Sequence, residues 1–206
     1  TGYTKIKRGV HQGCVMSPTL FNLCTELVFR EISDMKGVSI GGVNINNLRY
    51  ADDTVLCAEN EADLQHVLDI LKVKSEEFGL SMNVKKTKSM IFSRTENKPR
   101  ICLKLDGHII EQVSNYIYLE QNITDDAMCE AEIKRRIEIA WNTFLAMKDL
   151  FTDRKVKFAL RLRLVNCYVW SVLLYGAETW TISKAMENRI TSFEMWIYRG
   201  MMKISW

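Results

Sequence analysis

The sequence predicts an α+β fold: about 120 residues in which short strands alternate with helices, followed by a region of long helices. Three observations predict it. Strand-forming residues flank tight-turn signatures in NNLRYADDTVLCAE (residues 46–59) and in ICLKLDGHIIEQV (residues 101–113). Helix-period runs with capping chemistry open near Ser17 and Asn60. From Asp125 onward apolar residues recur at helical spacing without strand-like alternation.

In chain order, a glycine-bearing loop (Gly9, Gly13) leads into a first helix. Ser17 suits its N-cap, Pro18 its first turn, and Gly37 its end. Leu20, Leu23, Cys24, Leu27, Val28 and Ile32 form the apolar stripe. Short strands and Gly41-Gly42 precede the hairpin over 46–58, with Asp52 and Asp53 at its tip. A second helix is expected from Glu61 to Phe78, capped by Asn60 and stopped by Gly79. The basic turn KKTK and a strand over SMIFS follow. Asp106-Gly107 is a type I′ turn signal between alternating apolar residues, and NYIYL adds a strand. The helical region divides into roughly 126–150, 154–175 and 184–204. In the first of these Ile133, Ile137, Ala140, Trp141, Phe144 and Leu145 make the buried stripe, opposite Lys134, Arg135 and Glu138.

Bulk composition narrows the possibilities. A chain of 206 residues, 47% hydrophobic and 26% charged, can bury a sizeable core. The net charge of +3 says little, but charge is segregated. Residues 85–104 carry seven Lys/Arg against Glu96 alone, and residues 134–163 carry nine against three acids. Such segments suit a polyanion or a solvated face. Six cysteines without CxxC spacing read as reduced thiols, which with the absence of a signal peptide points to an intracellular protein of nucleus or cytoplasm. The most apolar run, LVNCYVWSVLLYGA, is too short and polar to span a bilayer, so no membrane partner is expected. Since the chain opens on Thr1 rather than Met, a preceding segment is expected.

The candidate chemistry lies in loops. Asp52 and Asp53 repel each other, which suits a solvated turn or a hard cation held by carboxylate oxygens. Arg8, His11 and Gln12, beside Gly9 and Gly13, can hydrogen-bond a phosphate, sugar or base edge ahead of a helix N-terminus. Asn83, Lys85, Lys86 and Lys88 in NVKKTK offer cations able to neutralise or protonate a phosphate leaving group.

Taken in order, RGVHQGCVMSPTLFNL, LRYADDTVL, GLSMNVKKTKSMIF and VSNYIYLEQNIT resemble four successive blocks of reverse transcriptases from non-LTR retrotransposons. The tail from Ser171, SVLLYGAETWTISKAMENRITSFEMWIYRGMMKISW, resembles the segment after the polymerase core in the endonuclease-bearing elements. The resemblance implies a right-hand polymerase: residues 1–122 as a partial palm, an antiparallel sheet with helices, and residues 123–206 as an all-helical thumb or connection region. It implies RNA-directed DNA synthesis from deoxynucleoside triphosphates on an RNA template and DNA primer, with Mg²⁺ or Mn²⁺ at Asp52 and Asp53. Lys86 is implied near the departing pyrophosphate. Arg8, Gln12, Gly13, Tyr50 and Ala51 are implied at the template and nucleotide, and Tyr118 and Leu119 at the primer.

Two departures accompany the resemblance. The family supplies a further aspartate upstream of the Gly-Gln loop, whereas no acid precedes Glu26 here, so the fingers and first catalytic strand are expected outside this chain. Glu120 also stands where the family has glycine after Tyr-Leu. A non-catalytic nucleic-acid-binding remnant, using the basic segments alone, is the alternative reading.

Overall fold

Among the described residues, strands pair two by two rather than in the continuous sheet expected for a palm. The computed structural model describes residues 9, 11, 13–93, 95 and 98–204. They fall into two units: Thr1–Ser89 with Pro99–Gln112, and Met90–Lys98 with Val113–Trp206.

The first unit opens with helix α1 (Ser17–Arg30) and the hairpin of β1 (Val38–Ile40) and β2 (Val43–Ile45). The acidic hairpin, β3 (Asn47–Tyr50) with β4 (Asp53–Leu56), leads to α2 (Glu61–Glu77). Asn60 caps α2 as predicted, its Oδ1 accepting the Asp63 N–H at 2.9 Å. Ser17 does not cap α1: the cap is Met16, and the Ser17 hydroxyl donates to the His11 carbonyl at 2.6 Å, tying the preceding loop down. Nor does Gly37 end α1, which stops at Arg30; Gly37 passes so close to the Ile45 carbonyl that a Cβ would overlap it.

β5 (Lys88–Ser89) is only two residues long, and Met90–Ser93 are irregular where a strand is predicted. The hairpin of β6 (Lys104–Leu105) and β7 (His108–Ile109) turns on Asp106 and Gly107 at φ 53° and 77°, the type I′ signature. β8 (Glu111–Gln112) then pairs in parallel with β5.

Helix α2 builds this core by burying two stripes. Val67 and Leu71 meet Val28 and Ile32, while Leu68 meets Leu103, Leu105 and Ile110. Each such side chain contributes about 1.5–3 kcal/mol on burial.

The second unit carries the hairpin of β9 (Asn115–Tyr118) and β10 (Gln121–Thr124) and then the helices. These are α3 (Glu130–Ala146), α4 (Lys148–Thr152), α5 (Phe158–Val165), α6 (Ser171–Leu173) and α7 (Lys184–Met202). The predicted helix over 126–150 is thus two helices, starting after a turn in which Ala127 has φ 57° and broken at Met147. A π-helical turn, Asn166–Trp170, links α5 to α6 and places Val169 in the core.

Ile133, Ala140 and Phe144 are buried as predicted, and Phe144 packs with Phe151, Val165, Leu173, Phe193, Ile197 and Met201. Trp141 stacks on Trp196 with centroids 3.7 Å apart. Arg161 is buried too, donating to the carbonyls of Phe151 at 3.0 Å and Met201 at 2.7 Å, groups that helix ends leave unpaired. Among the described residues no helix is long and apolar enough to cross a membrane.

Candidate active site

The acidic hairpin is held at its base and exposed at its tip. Asn46 is buried, and its side-chain amide donates to the Ile32 carbonyl at 2.5 Å and the Met35 carbonyl at 3.0 Å. Its backbone carbonyl accepts from Cys57 N–H at 2.8 Å, closing the strand pair. Three residues on, in β3, Arg49 pairs with Glu26 of α1 at 2.9 Å and lies 4.7 Å from the centroid of the Phe29 ring. Both anchors fix the hairpin to α1 and to the turn after it.

The register pairs Tyr50 with Asp53, leaving Ala51 and Asp52 as a two-residue turn. Ala51 has φ 51°, in the left-handed region that costs an alanine about 1–2 kcal/mol. Asp52 sits in the turn and Asp53 begins β4; both are exposed, as is Tyr50. Neither carboxylate is in an ion pair among the described residues, so their oxygens are open to a cation. The same residues contain no cluster of three His, Cys, Asp or Glu able to ligate a metal, so this pair fits part of a hard-cation site.

Lys86 belongs to the same unit, exposed in a turn organised by Asn83. The Asn83 carbonyl accepts from Thr87 N–H and Thr87 Oγ1, both at 2.9 Å, and its Oδ1 accepts from Lys86 N–H at 3.1 Å. Lys88, which the sequence groups with it, is neutralised by Glu111 at 2.6 Å. Gly13 has φ 83° with open space on its Cβ side, in the loop that Ser17 ties down. Arg8 and Gln12 lie outside the described residues.

Tyr118 and Leu119 are in the second unit, at the β9–β10 turn. Here the structure contains an assembly that the helical pattern does not disclose. Glu132, 2% exposed, accepts Arg135 Nε at 2.8 Å, Arg136 Nε at 2.7 Å and Asn122 N–H at 2.9 Å. Burial alone would raise its pKa. The bonds from Arg135, Asn122 and Arg136 outweigh that and hold the carboxyl below its usual range. Arg135, predicted on the solvent face, is half-buried, and Arg136 is buried. The spacings of Glu132 to Arg135 and to Arg136 are the available sequence signal, and on a surface helix they denote exposed pairs. A cavity of about 480 Å³ lined by Lys148, Thr152, Arg199 and Lys203 also lies in this unit.

Adjacent carboxylates exposed at a hairpin tip and an exposed lysine turn in the same unit are groups suited to a nucleic-acid polymerase. The reverse transcriptase (RNA-dependent DNA polymerase) family matches residues 2–158. This chain belongs to that family, within the reverse transcriptases of non-LTR retrotransposons. It is 33% identical over 156 residues to a putative uncharacterized transposon-derived protein of Caenorhabditis elegans, covering 73% of this chain and 54% of that protein. It is 36% identical over 96 residues to the Pol polyprotein from the type-1 retrotransposable element R2 of Nasonia vitripennis, covering 46% of this chain and 9% of the polyprotein. The corresponding type-2 polyprotein of Drosophila melanogaster is 38% identical over 79 residues, covering 38% and 8%. The chain therefore spans about half of the first relative and a small part of the other two.

Proposed function

We propose that this chain is part of an RNA-directed DNA polymerase, carrying the acidic hairpin, the lysine turn and a primer-side hairpin of a metal-assisted nucleotidyl transferase. Residues 1–122 serve as a partial palm and residues 123–206 as a thumb-like region. The supporting observation is the β3–β4 turn, which exposes both Asp52 and Asp53 at the end of a doubly anchored hairpin.

In this reading Asp52 and Asp53 hold a divalent cation, Mg²⁺ or Mn²⁺. When bound, such cations supply Lewis-acid stabilisation of the attacking 3′ oxygen and of the triphosphate. Lys86 offsets charge on, or protonates, the leaving pyrophosphate. Tyr50 and Ala51 face the primer end and the incoming deoxynucleoside triphosphate. Arg8, Gln12 and Gly13 line the RNA template and the nucleotide, and Tyr118 and Leu119 grip the DNA primer.

Primer–template binding with and without Mg²⁺ tests this function. Affinity is expected to rise with Mg²⁺ and the increment to vanish in Asp52→Ala. Binding indifferent to both the ion and the substitution would instead favour a non-catalytic nucleic-acid-binding remnant.

A further inference from the structure

The β9–β10 turn holds two consecutive left-handed residues without a glycine, Leu119 at φ 47° and Glu120 at φ 62°. L side chains adopt that conformation only at a cost, and a two-stranded hairpin is marginal by itself. Something else must hold this turn.

Two distant pieces of chain do so. The Leu119 carbonyl accepts the Tyr175 hydroxyl at 3.2 Å, and the Glu120 carbonyl accepts both Arg135 Nη2 and Arg136 Nη2. Arg136 in turn lies 4.6 Å from the centroid of the Tyr175 ring, so the two carbonyl partners brace each other. Glu132 orients both guanidinium groups and takes the Asn122 N–H. Thr179 Oγ1 lies 3.2 Å from Gln121 Oε1 and 2.8 Å from the Gly176 carbonyl. Gly176, at φ 73°, lies so close to Gln121 that a Cβ would overlap its side-chain amide. The turn's two carbonyls are thus occupied, while Glu120 in the turn and Ile117 on β9 are exposed and Tyr118 and Leu119 are half-buried.

We infer that Arg135, Arg136, Tyr175 and Gly176 are positioning residues for primer engagement, forming a clasp that fixes the β9–β10 turn in the conformation it presents outward. This rests on the reading of that turn as the primer contact. Substrate-aligning groups need support within fractions of an ångström, and here the support comes from α3 and the Tyr175–Thr179 stretch of LYGAETW.

Tyr175→Phe in the 206-residue chain provides the test, because it keeps the ring beside Arg136 and removes only the bond to Leu119. Amide exchange over residues 116–122 is expected to quicken about tenfold while α3 and α7 stay unchanged. Affinity for a DNA primer annealed to an RNA template is expected to fall about fivefold. Gly176→Ala, which displaces Gln121 from the other side, is expected to give the same two changes. Adding Glu120→Gly, which removes a side chain from left-handed backbone, is expected to restore part of both losses. Unchanged exchange over 116–122 in both Tyr175→Phe and Gly176→Ala would overturn the clasp. Faster exchange with undiminished affinity would overturn its positioning role if Tyr118→Ala does weaken duplex binding. If Tyr118→Ala leaves binding unchanged as well, the primer reading itself fails and the inference falls with it.

Discussion

Glu120 and Glu132 illustrate how differently two acids in one unit can behave. Glu120 is exposed and sits at positive φ, where a side chain costs about 1–2 kcal/mol and glycine about 0.5–1 kcal/mol in lost entropy. Glu120→Gly is therefore expected to stabilise the protein by roughly 0.5 kcal/mol, read as a higher urea midpoint at unchanged slope. Glu132 is buried and its carboxyl titrates below the usual range. Its stabilising contribution is fully present above the unfolded carboxylate value, about 4.3, and is lost as pH falls through the lower folded value. Acid unfolding followed by tryptophan fluorescence should accordingly lose this component below about pH 4. Glu132→Gln should flatten that acid limb and cost about 3 kcal/mol at neutral pH, because two guanidinium groups lose their anion. Asp52 and Asp53 were legible as chemistry only together with the neighbouring motif blocks, since an Asp-Asp pair alone also suits a solvated turn. Glu132 was not, since its burial depends on what covers α3.

At the scale of elements, the acidic hairpin depends on one side chain that carries no chemical signature. Asn46 satisfies the carbonyls of Ile32 and Met35 that follow α1, and its own oxygen accepts from Asn47 at 2.6 Å. Asn46→Ala should cost about 2 kcal/mol by chemical denaturation, since a buried group left unpaired forfeits its desolvation energy. Loss of Mg²⁺-dependent duplex binding should accompany it, because the hairpin base loses its anchor. Turn chemistry was the most readable feature at this scale. Asp106-Gly107 turns as expected, and Asn60 caps α2. The strand over Met90–Ser93 did not form, because β propensity is realised only where a partner edge is available, and β5 finds one only at Lys88–Ser89.

For the whole molecule, charge segregation overstated the number of cations free to meet a polyanion. Lys88 pairs with Glu111, Lys98 with Asp125 and Lys134 with Glu130, while Arg135, Arg136 and Arg161 are bound internally. Arg154, Lys155 and Lys157 are exposed between α4 and α5, with no ion pair among the described residues. Replacing these three by alanine should reduce the salt slope of duplex binding by about 2–3, whereas Lys88→Ala should leave it nearly unchanged. The 206-residue chain by itself is expected to give no primer extension. Asp52 and Asp53 are two ligands for a cation that demands near-octahedral coordination, and no third acid joins them among the described residues. Extension that disappears in Asp52→Ala would refute this expectation.

By itself the sequence determined the mixed α+β character, the main helices and turns, the family, and the carboxylate pair at a hairpin tip. Those features follow from local periodicity, turn chemistry and short motifs, which act over a few residues. Tertiary structure alone decided that strands pair two by two, that Asn46 anchors the acidic hairpin, and that Arg135, Arg136 and Tyr175 close on the Leu119–Glu120 turn. The Asn46 anchor and the Arg135, Arg136 and Tyr175 contacts depend on residues between 11 and 56 positions apart meeting in space. A charged or amide side chain is solvated or structural according to whether another segment covers it, and local sequence carries no record of that cover.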